Sequence, residues 1–313
     1  MEPAAVVCAH WGRLVTAVEP VSSGSVNQLH RIRSPDETTY LRRYRTTDRD
    51  VVTREHALMR HVALASVPVT LPLAATSGGT VVDVDGSLYA LYPEAEGEQL
   101  DRSALALAHA RAAGTMLARL HVATEPLPDV GYRRYVMKWS PADWDARLAG
   151  LAETIAARAE PHPDDQAVLA RLADQRAWVA SPRCLHEFVS AFPPQVIHGD
   201  YQDSNLFFSA PRAGEAHVSA VIDWEQAAFM PRAFEIARCA SYAFALAPEP
   251  TRAFVAAYRE VSPLGDDELE DGAALWGCMS DHYVWAVEEV YLHRNERARR
   301  FIPLPFKPFR WVI

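Results

Sequence analysis

Hydrophobic and polar positions alternate along the first part of the chain and follow a helical period along most of the rest. Short alternating segments predict β-strands, because successive side chains of a strand point to opposite faces. The sequence Asp85-Gly86 lies between the last two segments and predicts a type I′ hairpin, since both residues tolerate a positive φ. The predicted strands cover residues 14–18, 28–33, 38–44, 80–85 and 88–92.

One helix is predicted within this first part, and helices dominate the second. Residues 51–64 have a helical pattern and follow Asp48 and Asp50, which are candidate caps. One non-helical segment, 195–223, interrupts the second part and contains short apolar strands. The remaining predicted helices cover residues 104–121, 142–157, 164–180, 232–247, 250–260 and 266–297.

The order of these elements predicts an α+β fold with two lobes. Residues 1–93 would form a small, mostly antiparallel β-sheet lobe that contains one helix. Residues 94–97 break the pattern and would form a hinge. Residues 98–313 would form a larger, mainly helical lobe.

Composition and charge exclude several classes of protein. The 313 residues include 31 basic and 40 acidic side chains, a net charge of −9, which argues against broad binding to nucleic acid or anionic membranes. No apolar run approaches the ~18 residues of a membrane-spanning helix, and the amino terminus lacks the charge order of a secretory signal. We therefore expect a cytoplasmic protein without nucleic-acid or membrane partners; the oligomeric state stays open.

The cysteines are widely spaced and favour reduced thiols over disulfides or a zinc site: Cys8, Cys184, Cys239 and Cys278.

The segment 195–223 carries the strongest chemical motif. His198-Gly199-Asp200 is followed by four residues and Asn205, and Asp223 comes at the end of the next apolar strand. Phosphoryl transfer requires an oriented acceptor hydroxyl and cations that neutralise phosphate charge. Asp200 would accept or orient the hydroxyl, while Asn205 and Asp223 offer hard oxygen ligands for Mg²⁺. The alternative, that these residues only form turns and caps, suits a single Asp or Asn better than the whole set.

These two motifs resemble the catalytic loop and the metal-binding motif of the aminoglycoside phosphotransferase family, which is related to the protein kinases. That family includes homoserine-kinase-like enzymes. The resemblance extends over about residues 15–300. It implies a protein-kinase-like two-lobed fold, with ATP or GTP and Mg²⁺ as cofactors. It also implies Asp200 as the catalytic base and Asn205 and Asp223 as metal ligands.

The same resemblance assigns nucleotide binding to the first lobe. Ser23, Gly24 and Ser25 lie in a loop between two predicted strands and would cover the phosphates, although an ordinary hairpin fits the same residues. Family members carry a lysine on the third strand, where this chain has arginines. Arg42 is the expected phosphate contact, Arg43 is the alternative if the register shifts by one, and a solvated strand edge is the third interpretation.

Three further residues complete the predicted nucleotide site. Glu55 lies on the otherwise apolar face of helix 51–64 and would be the counter-charge for Arg42, unless it reaches solvent at the margin of that face. Tyr92 and Ala95 flank Pro93 at the hinge, where backbone groups would meet the nucleotide base. A plain interdomain linker is compatible with the same position.

The acceptor would be a small hydroxylated molecule bound by the larger lobe, such as an aminoglycoside-like antibiotic, an amino alcohol like homoserine, or a sugar or nucleoside. Asp281, Glu288 and Glu289 of helix 266–297 provide acids that would attract a cationic amine, or form a solvated face. The missing strand lysine leaves a catalytically silent nucleotide-binding pseudokinase as the alternative function. A protein-serine kinase is disfavoured, because no Ala-Pro-Glu element follows Asp223.

Overall fold

The computed structural model of the chain describes residues 1–21, 28–210 and 214–312. In these residues the α-helices are α1 Pro3–Trp11, α2 Arg49–Leu64, α3 Leu107–Thr124, α4 Pro141–Ala156, α5 Asp165–Val179, α6 Arg232–Phe244, α7 Pro248–Arg259, α8 Asp266–Asp281 and α9 Trp285–Tyr291. The strands are β1 Ala17–Val21, β2 Gln28–Arg33, β3 Thr38–Arg43, β4 Val82–Val84, β5 Ser87–Pro93, β6 Glu98–Gln99, β7 Met137–Lys138, β8 Glu187–Phe188, β9 Pro194–Ile197, β10 Leu206–Ser209, β11 His217–Val221 and β12 Ala228–Pro231.

The first part of the chain forms a five-stranded antiparallel sheet in the order β1-β2-β3-β5-β4. Asp85 and Gly86 have φ angles of 52° and 76°, as the predicted type I′ hairpin between β4 and β5 requires. Helix α1, which the sequence pattern did not predict, packs Val6 and Val7 into the apolar core of this sheet. Its apolar residues are not confined to one face, so it carries no amphipathic signal.

Helix α2 lies against this sheet and begins where the sequence predicted a cap. The Asp48 carboxylate accepts hydrogen bonds from the backbone N–H groups of Asp50 and Val51, which satisfies donors that a helix start leaves unpaired. The face of α2 that is buried also contains the polar residues Glu55 and His56. One side of α2 therefore brings charge into the core next to β3.

The second part combines helices with three small antiparallel sheets, one of which is formed by β7 and β8. Strand β9 pairs with β12, and β10 pairs with both β11 and β6. Residues 94–97 connect β5 of the first sheet to β6, so the chain passes there from one sheet to the other. Helix α3 packs on α7 and α6 packs on α8. In the described part of the chain, no helix has the length and apolar character needed to cross a membrane.

The single helix predicted over 266–297 is wrong, because the structure breaks it into α8 and α9. His282, Tyr283 and Val284 separate the two helices, and residues of these types have modest helix propensity. Side chains of α5 bind carbonyl groups at the break: Gln175 Nε2 donates to Asp281 O at 2.8 Å and Arg171 Nη2 to Tyr283 O at 3.0 Å. Tertiary hydrogen bonds therefore support the break.

The first predicted strand is also displaced. It was expected over residues 14–18, whereas β1 runs from Ala17 to Val21. Its pairing with β2 begins at Ala17, which lies opposite Arg33. Alternation of apolar residues does not fix the ends of a strand, because pairing with its neighbour decides them.

Candidate active site

The loop between β9 and β10 holds the Asp200 carboxylate in a network of hydrogen bonds. Asn205 Nδ2 donates to Asp200 Oδ2 and to its backbone oxygen, both at 2.8 Å. Gln202 Nε2 donates to Oδ2 at 3.3 Å. The other carboxylate oxygen forms an ion pair with Arg238. Asp200 is thus fixed in orientation, while 19% of its side chain stays open to solvent.

The backbone of this loop is held by a buried carboxylate from α6. Glu235 accepts hydrogen bonds from the N–H groups of His198, at 3.1 Å, and Gly199. Burial acts to raise the pKa of Glu235. The hydrogen bond and charge of His121, the charge of His198 and the hydrogen bond from the Gly199 N–H outweigh burial, so the pKa lies below its ordinary value. Gly199 has φ +81°, and a Cβ there would collide with the carbonyl oxygen of Gln226. Only glycine fits this position without moving the backbone.

His198 links the two motif segments rather than facing a substrate. It is fully buried, its Nε2 donates to the carbonyl oxygen of Ile222 at 3.0 Å, and its Nδ1 accepts from the N–H of Asp200 at 3.2 Å. Burial lowers its pKa, although neighbouring carboxylates act in the opposite direction. A neutral imidazole with both nitrogens engaged shapes the loop.

The register of β10 and β11 brings Asn205 and Asp223 to adjacent strand ends. Leu206 pairs with Val221, and the N–H of Ile222 donates to the Asn205 carbonyl at 3.0 Å. Asp223 follows with a φ of 64°, and 39% of its side chain is exposed. Asn205 binds Asp200 through Nδ2, so its Oδ1 is the atom left for a cation. An amide oxygen and a carboxylate are hard ligands that fit Mg²⁺.

Arg42 of β3 lies beside this strand end and contacts three carboxylates. Its Nη2 is 3.0 Å from Asp223 Oδ1 and 2.7 Å from Glu225 Oε2, and its Nη1 is 3.5 Å from Glu55 Oε1. The guanidinium also lies 4.9 Å from the centre of the Tyr44 ring. Even without the charge of Glu55, one guanidinium faces two carboxylates, and the excess of negative charge suits a bound metal ion. The buried Nε of Arg42 has no hydrogen-bond partner among the described residues.

Arg43 points away from this group. Its guanidinium donates to Gln28 Oε1 at 3.5 Å and to Ser87 Oγ at 2.9 Å on an exposed part of the sheet. Arg42, by contrast, is only 9% exposed. Of the two arginines, Arg42 is the one that contacts Asp223, a predicted metal ligand.

Glu55 is the buried counter-charge on α2. Burial raises its pKa to about 7; Arg42 acts against this shift, whereas Glu225 and Asp223 add to it. Because Arg42 is shared with two other carboxylates, it stabilises the charge on Glu55 only in part. The helix carboxylate and the strand cation are adjacent, as predicted.

The predicted hinge residues have different environments. The Tyr92 hydroxyl contacts Tyr44 OH at 2.6 Å and His56 Nε2 at 3.1 Å, so its side chain is occupied within the interior next to Arg42. Only the backbone of Tyr92 and that of half-buried Ala95 remain for contact with a nucleotide base. Ser23, Gly24 and Ser25 lie outside the described residues.

Two charged residues of the site were missed by sequence reasoning. Glu225 directly contacts Arg42, and Arg238 pairs with Asp200. Arg238 lies 4.8 Å from the Tyr242 ring centre and 5.6 Å from that of Trp276. Its buried Nη1 has no hydrogen-bond partner among the described residues. Arg238 lies three residues after Glu235 on the largely apolar helix α6. Because a charge on an apolar helix face requires a partner, this spacing could have identified Arg238 as a site residue.

The acids suggested to attract a cationic amine are engaged elsewhere. Asp281 accepts from Trp178 Nε1 at 2.6 Å and from the Phe309 N–H at 2.8 Å. Glu288 pairs with Arg147, and Glu289 accepts from Asn295 Nδ2 at 2.9 Å. Instead of these acids, two tyrosines lie close to Asp200 and Arg238. Burial raises the pKa of Tyr242 and Tyr283, and the charges of Asp200 and Arg238 also act on both phenols.

Comparisons with known proteins identify the family. A sequence model of the phosphotransferase enzyme family matches residues 17–274. The homoserine kinase of Acidiphilium cryptum (strain JF-5) is 26% identical over 287 residues, which cover 88% of this chain and 82% of that relative.

Two solved structures show the shared fold. Spectinomycin phosphotransferase in complex with ADP and spectinomycin has a TM-score of 0.65 at 10% identity, covering 95% of this chain and 88% of that one. Amicoumacin kinase in complex with AMP-PNP, Ca²⁺ and Ami has a TM-score of 0.58 at 14% identity, covering 97% of this chain and 94% of that one. The fold is therefore kinase-like and α+β. Since the family match spans most of the chain, this protein belongs to the phosphotransferase enzyme family and is a phosphotransferase.

Proposed function

We propose that this enzyme transfers the γ-phosphoryl group of Mg²⁺-bound ATP or GTP to a hydroxyl group of a small molecule that is not a polycation. The convergence of Asp200, Asn205 and Asp223 carries the proposal. Asn205 binds Asp200, the backbone of Asn205 pairs with Ile222 next to Asp223, and Asp223 contacts the buried cation Arg42. Phosphoryl transfer requires this combination of a positioned carboxylate and oxygen ligands for a metal ion.

Each residue has a defined part in this proposal. Asp200 orients the acceptor hydroxyl and accepts its proton as the oxygen forms its bond to phosphorus and the bond to the nucleoside diphosphate breaks. Asn205 and Asp223 would hold Mg²⁺, which when bound neutralises charge on the phosphates. Arg42 would contact the phosphates, and Glu55 holds its guanidinium next to Asp223.

The nucleotide would lie between the two lobes defined by residues 1–93 and 98–313. Residues 94–97 form the connection, and backbone groups of Tyr92 and Ala95 would bind the base. The loop of Ser23, Gly24 and Ser25 would cover the phosphates. Support for this placement comes from Arg42 of β3, which reaches Asp223 from the opposite part of the chain.

The surroundings of Asp200 argue for a neutral or zwitterionic acceptor rather than an aminoglycoside. Arg238 places a positive charge beside the base, and the three acids of helices α8 and α9 are bound to other groups. A polyamine would meet the positive charge of Arg238 there. An amino alcohol that also carries a carboxylate, the class to which homoserine belongs, would instead be attracted by that charge.

A panel assay tests this function. Release of nucleoside diphosphate is measured with ATP and with GTP, in the presence of Mg²⁺, against hydroxy amino acids, neutral amino alcohols, sugars, nucleosides and aminoglycosides. Asp200→Asn should lower kcat by about 10²- to 10⁴-fold with nearly unchanged nucleotide affinity. Asp174→Asn, which changes an exposed acid of α5, is the matched control and should keep full activity.

Two outcomes would contradict the proposal. Equal turnover in wild type and Asp200→Asn would remove Asp200 from the role of base. Nucleotide binding without turnover on any class of acceptor would favour the pseudokinase alternative, against which the retained Asp200, Asn205 and Asp223 argue.

A further inference from the structure

Three side chains with metal-binding atoms meet at the break between α8 and α9. The ligand atoms of Cys184, His186 and His282 lie within 4.8 Å of one another. Cys184 and His282 are buried, and His186 is half-buried. Cys184 and His186 belong to the segment that leads into β8, whereas His282 follows the last residue of α8. Two distant parts of the chain therefore supply this group.

The two histidines face each other, and the His282 ring has the tautomer that a metal ligand needs. His282 Nδ1 is 2.8 Å from the carbonyl oxygen of Cys278, so this nitrogen carries a proton and Nε2 carries the lone pair. That lone pair accepts a hydrogen bond from His186 Nδ1 at 3.1 Å, and a metal ion bound by both nitrogens would replace this proton. Metal-bound histidines commonly donate their second nitrogen to a backbone carbonyl in this way, which fixes the ring and its tautomer.

The ring of His282 is further held by aromatic packing. It stacks on Trp139 with a centroid separation of 4.3 Å and an interplanar angle of 6°, and its edge meets Trp144. The thiol of Cys184 makes a long contact with Leu185 O at 3.9 Å. A metal ion binds this sulfur as the thiolate, so binding would release the thiol proton.

We propose that Cys184 Sγ, His186 Nδ1 and His282 Nε2 bind one Zn²⁺ ion or a similar divalent transition metal. One thiolate and two imidazoles form a nitrogen–sulfur ligand set that suits Zn²⁺ and contrasts with the oxygen ligands at Asn205 and Asp223. Tetrahedral zinc places its nitrogen and sulfur ligands about 3.3–3.6 Å apart. The histidine nitrogens, 3.1 Å apart, are already near that separation, and the remaining ligand distances are at most 4.8 Å.

The ion would connect two distant segments of the chain. It would tie the segment before β8 to the end of α8, at the break that separates α8 from α9. This metal binding does not depend on the proposed function.

Metal content and cobalt spectroscopy test the site. The full chain is purified without a histidine tag, and its zinc is measured by elemental mass spectrometry; we expect about one ion per chain. The metal is then exchanged for Co²⁺ and the absorption spectrum is recorded. A near-ultraviolet thiolate-to-cobalt band should appear in wild type and in Cys8→Ser, which changes an exposed cysteine of α1. The band should disappear in Cys184→Ser and weaken in His282→Gln.

The wild-type measurement decides the matter even if a variant folds poorly. Absence of both zinc and the thiolate–cobalt band in the wild-type chain would overturn the proposal. A band that persists in Cys184→Ser would also overturn it, because the metal would then be held by another cysteine. Failure of the kinase assay would leave this test unaffected, since neither readout depends on turnover.

Discussion

The guanidinium of Arg238 forms an ion pair with the carboxylate of Asp200, and Arg238 comes from α6 while Asp200 belongs to the loop after β9. Burial lowers the pKa of Arg238, but Asp200 more than offsets this effect, so the arginine stays charged. The proposed base therefore works beside a fixed positive charge. That relationship limits which acceptors can approach it.

Replacing Arg238 by leucine should reduce acceptor use. Removal of one partner of a largely buried ion pair costs about 2 kcal/mol or more, so kcat/KM for the preferred acceptor should fall about 30-fold or more. Discrimination against cationic acceptors should decrease at the same time. Steady-state kinetics with a carboxylate-bearing amino alcohol and an aminoglycoside measure both effects. Arg252→Leu, at an exposed position of α7, is the control; equal losses in both variants would contradict a specific role for Arg238.

Arg42→Ala should weaken nucleotide binding more than Arg43→Ala. Arg42 lies next to Asp223 and Glu225, whereas Arg43 contacts Gln28 and Ser87 on an exposed part of the sheet. Titration calorimetry with a non-hydrolysable ATP analogue and Mg²⁺ gives the two affinities. The reverse ranking would move the phosphate contact to Arg43.

Gly199→Ala should disrupt the catalytic loop. Its positive φ costs about 1–2 kcal/mol for alanine, and the new Cβ would also collide with the Gln226 carbonyl, so activity and melting temperature should both fall. Gly150→Ala is the matched control, because a Cβ there meets nothing within 4 Å and the residue lies within α4. That variant should gain about 0.5–1 kcal/mol in free energy of unfolding and keep its activity. A Gly199→Ala enzyme with normal kcat would refute the close packing of the loop.

Protonation of His56 should destabilise the protein at acidic pH. Burial, followed by the charges of Arg60 and Arg42, lowers the pKa of His56 from 6.5 to about 4. The unfolded chain therefore binds the proton first, so this stabilising contribution is complete above pH 6.5 and is lost as pH falls towards 4. Between pH 7 and pH 5 the loss is about 2 kcal/mol. Urea unfolding at both pH values should show a smaller decrease for His56→Gln than for wild type.

The control for this pH dependence is His217→Gln, because the His217 side chain is 62% exposed. It should keep the wild-type difference between pH 7 and pH 5. Equal pH dependence in wild type, His56→Gln and His217→Gln would show that His56 is not the group responsible.

Local sequence pattern predicted most elements but not their interruptions. The cap at Asp48 and the turn at Asp85-Gly86 follow from short-range chemistry and were predicted. The break between α8 and α9 was not, because Gln175 and Arg171 bind carbonyl groups there from more than 100 residues away. Such contacts leave no local trace in the sequence.

The sequence by itself determined the family and the identity of its chemical motifs, because Asp200, Asn205 and Asp223 lie within short segments whose residue types and spacing are characteristic. Only the tertiary structure decided what surrounds them. Arg238 and Asp200 are 38 residues apart, Arg42 and Asp223 are 181 apart, and His186 and His282 are 96 apart. The physical reason is that charge pairing and metal binding depend on distance in space, which the packing of helices and strands sets and which spacing along the chain does not record.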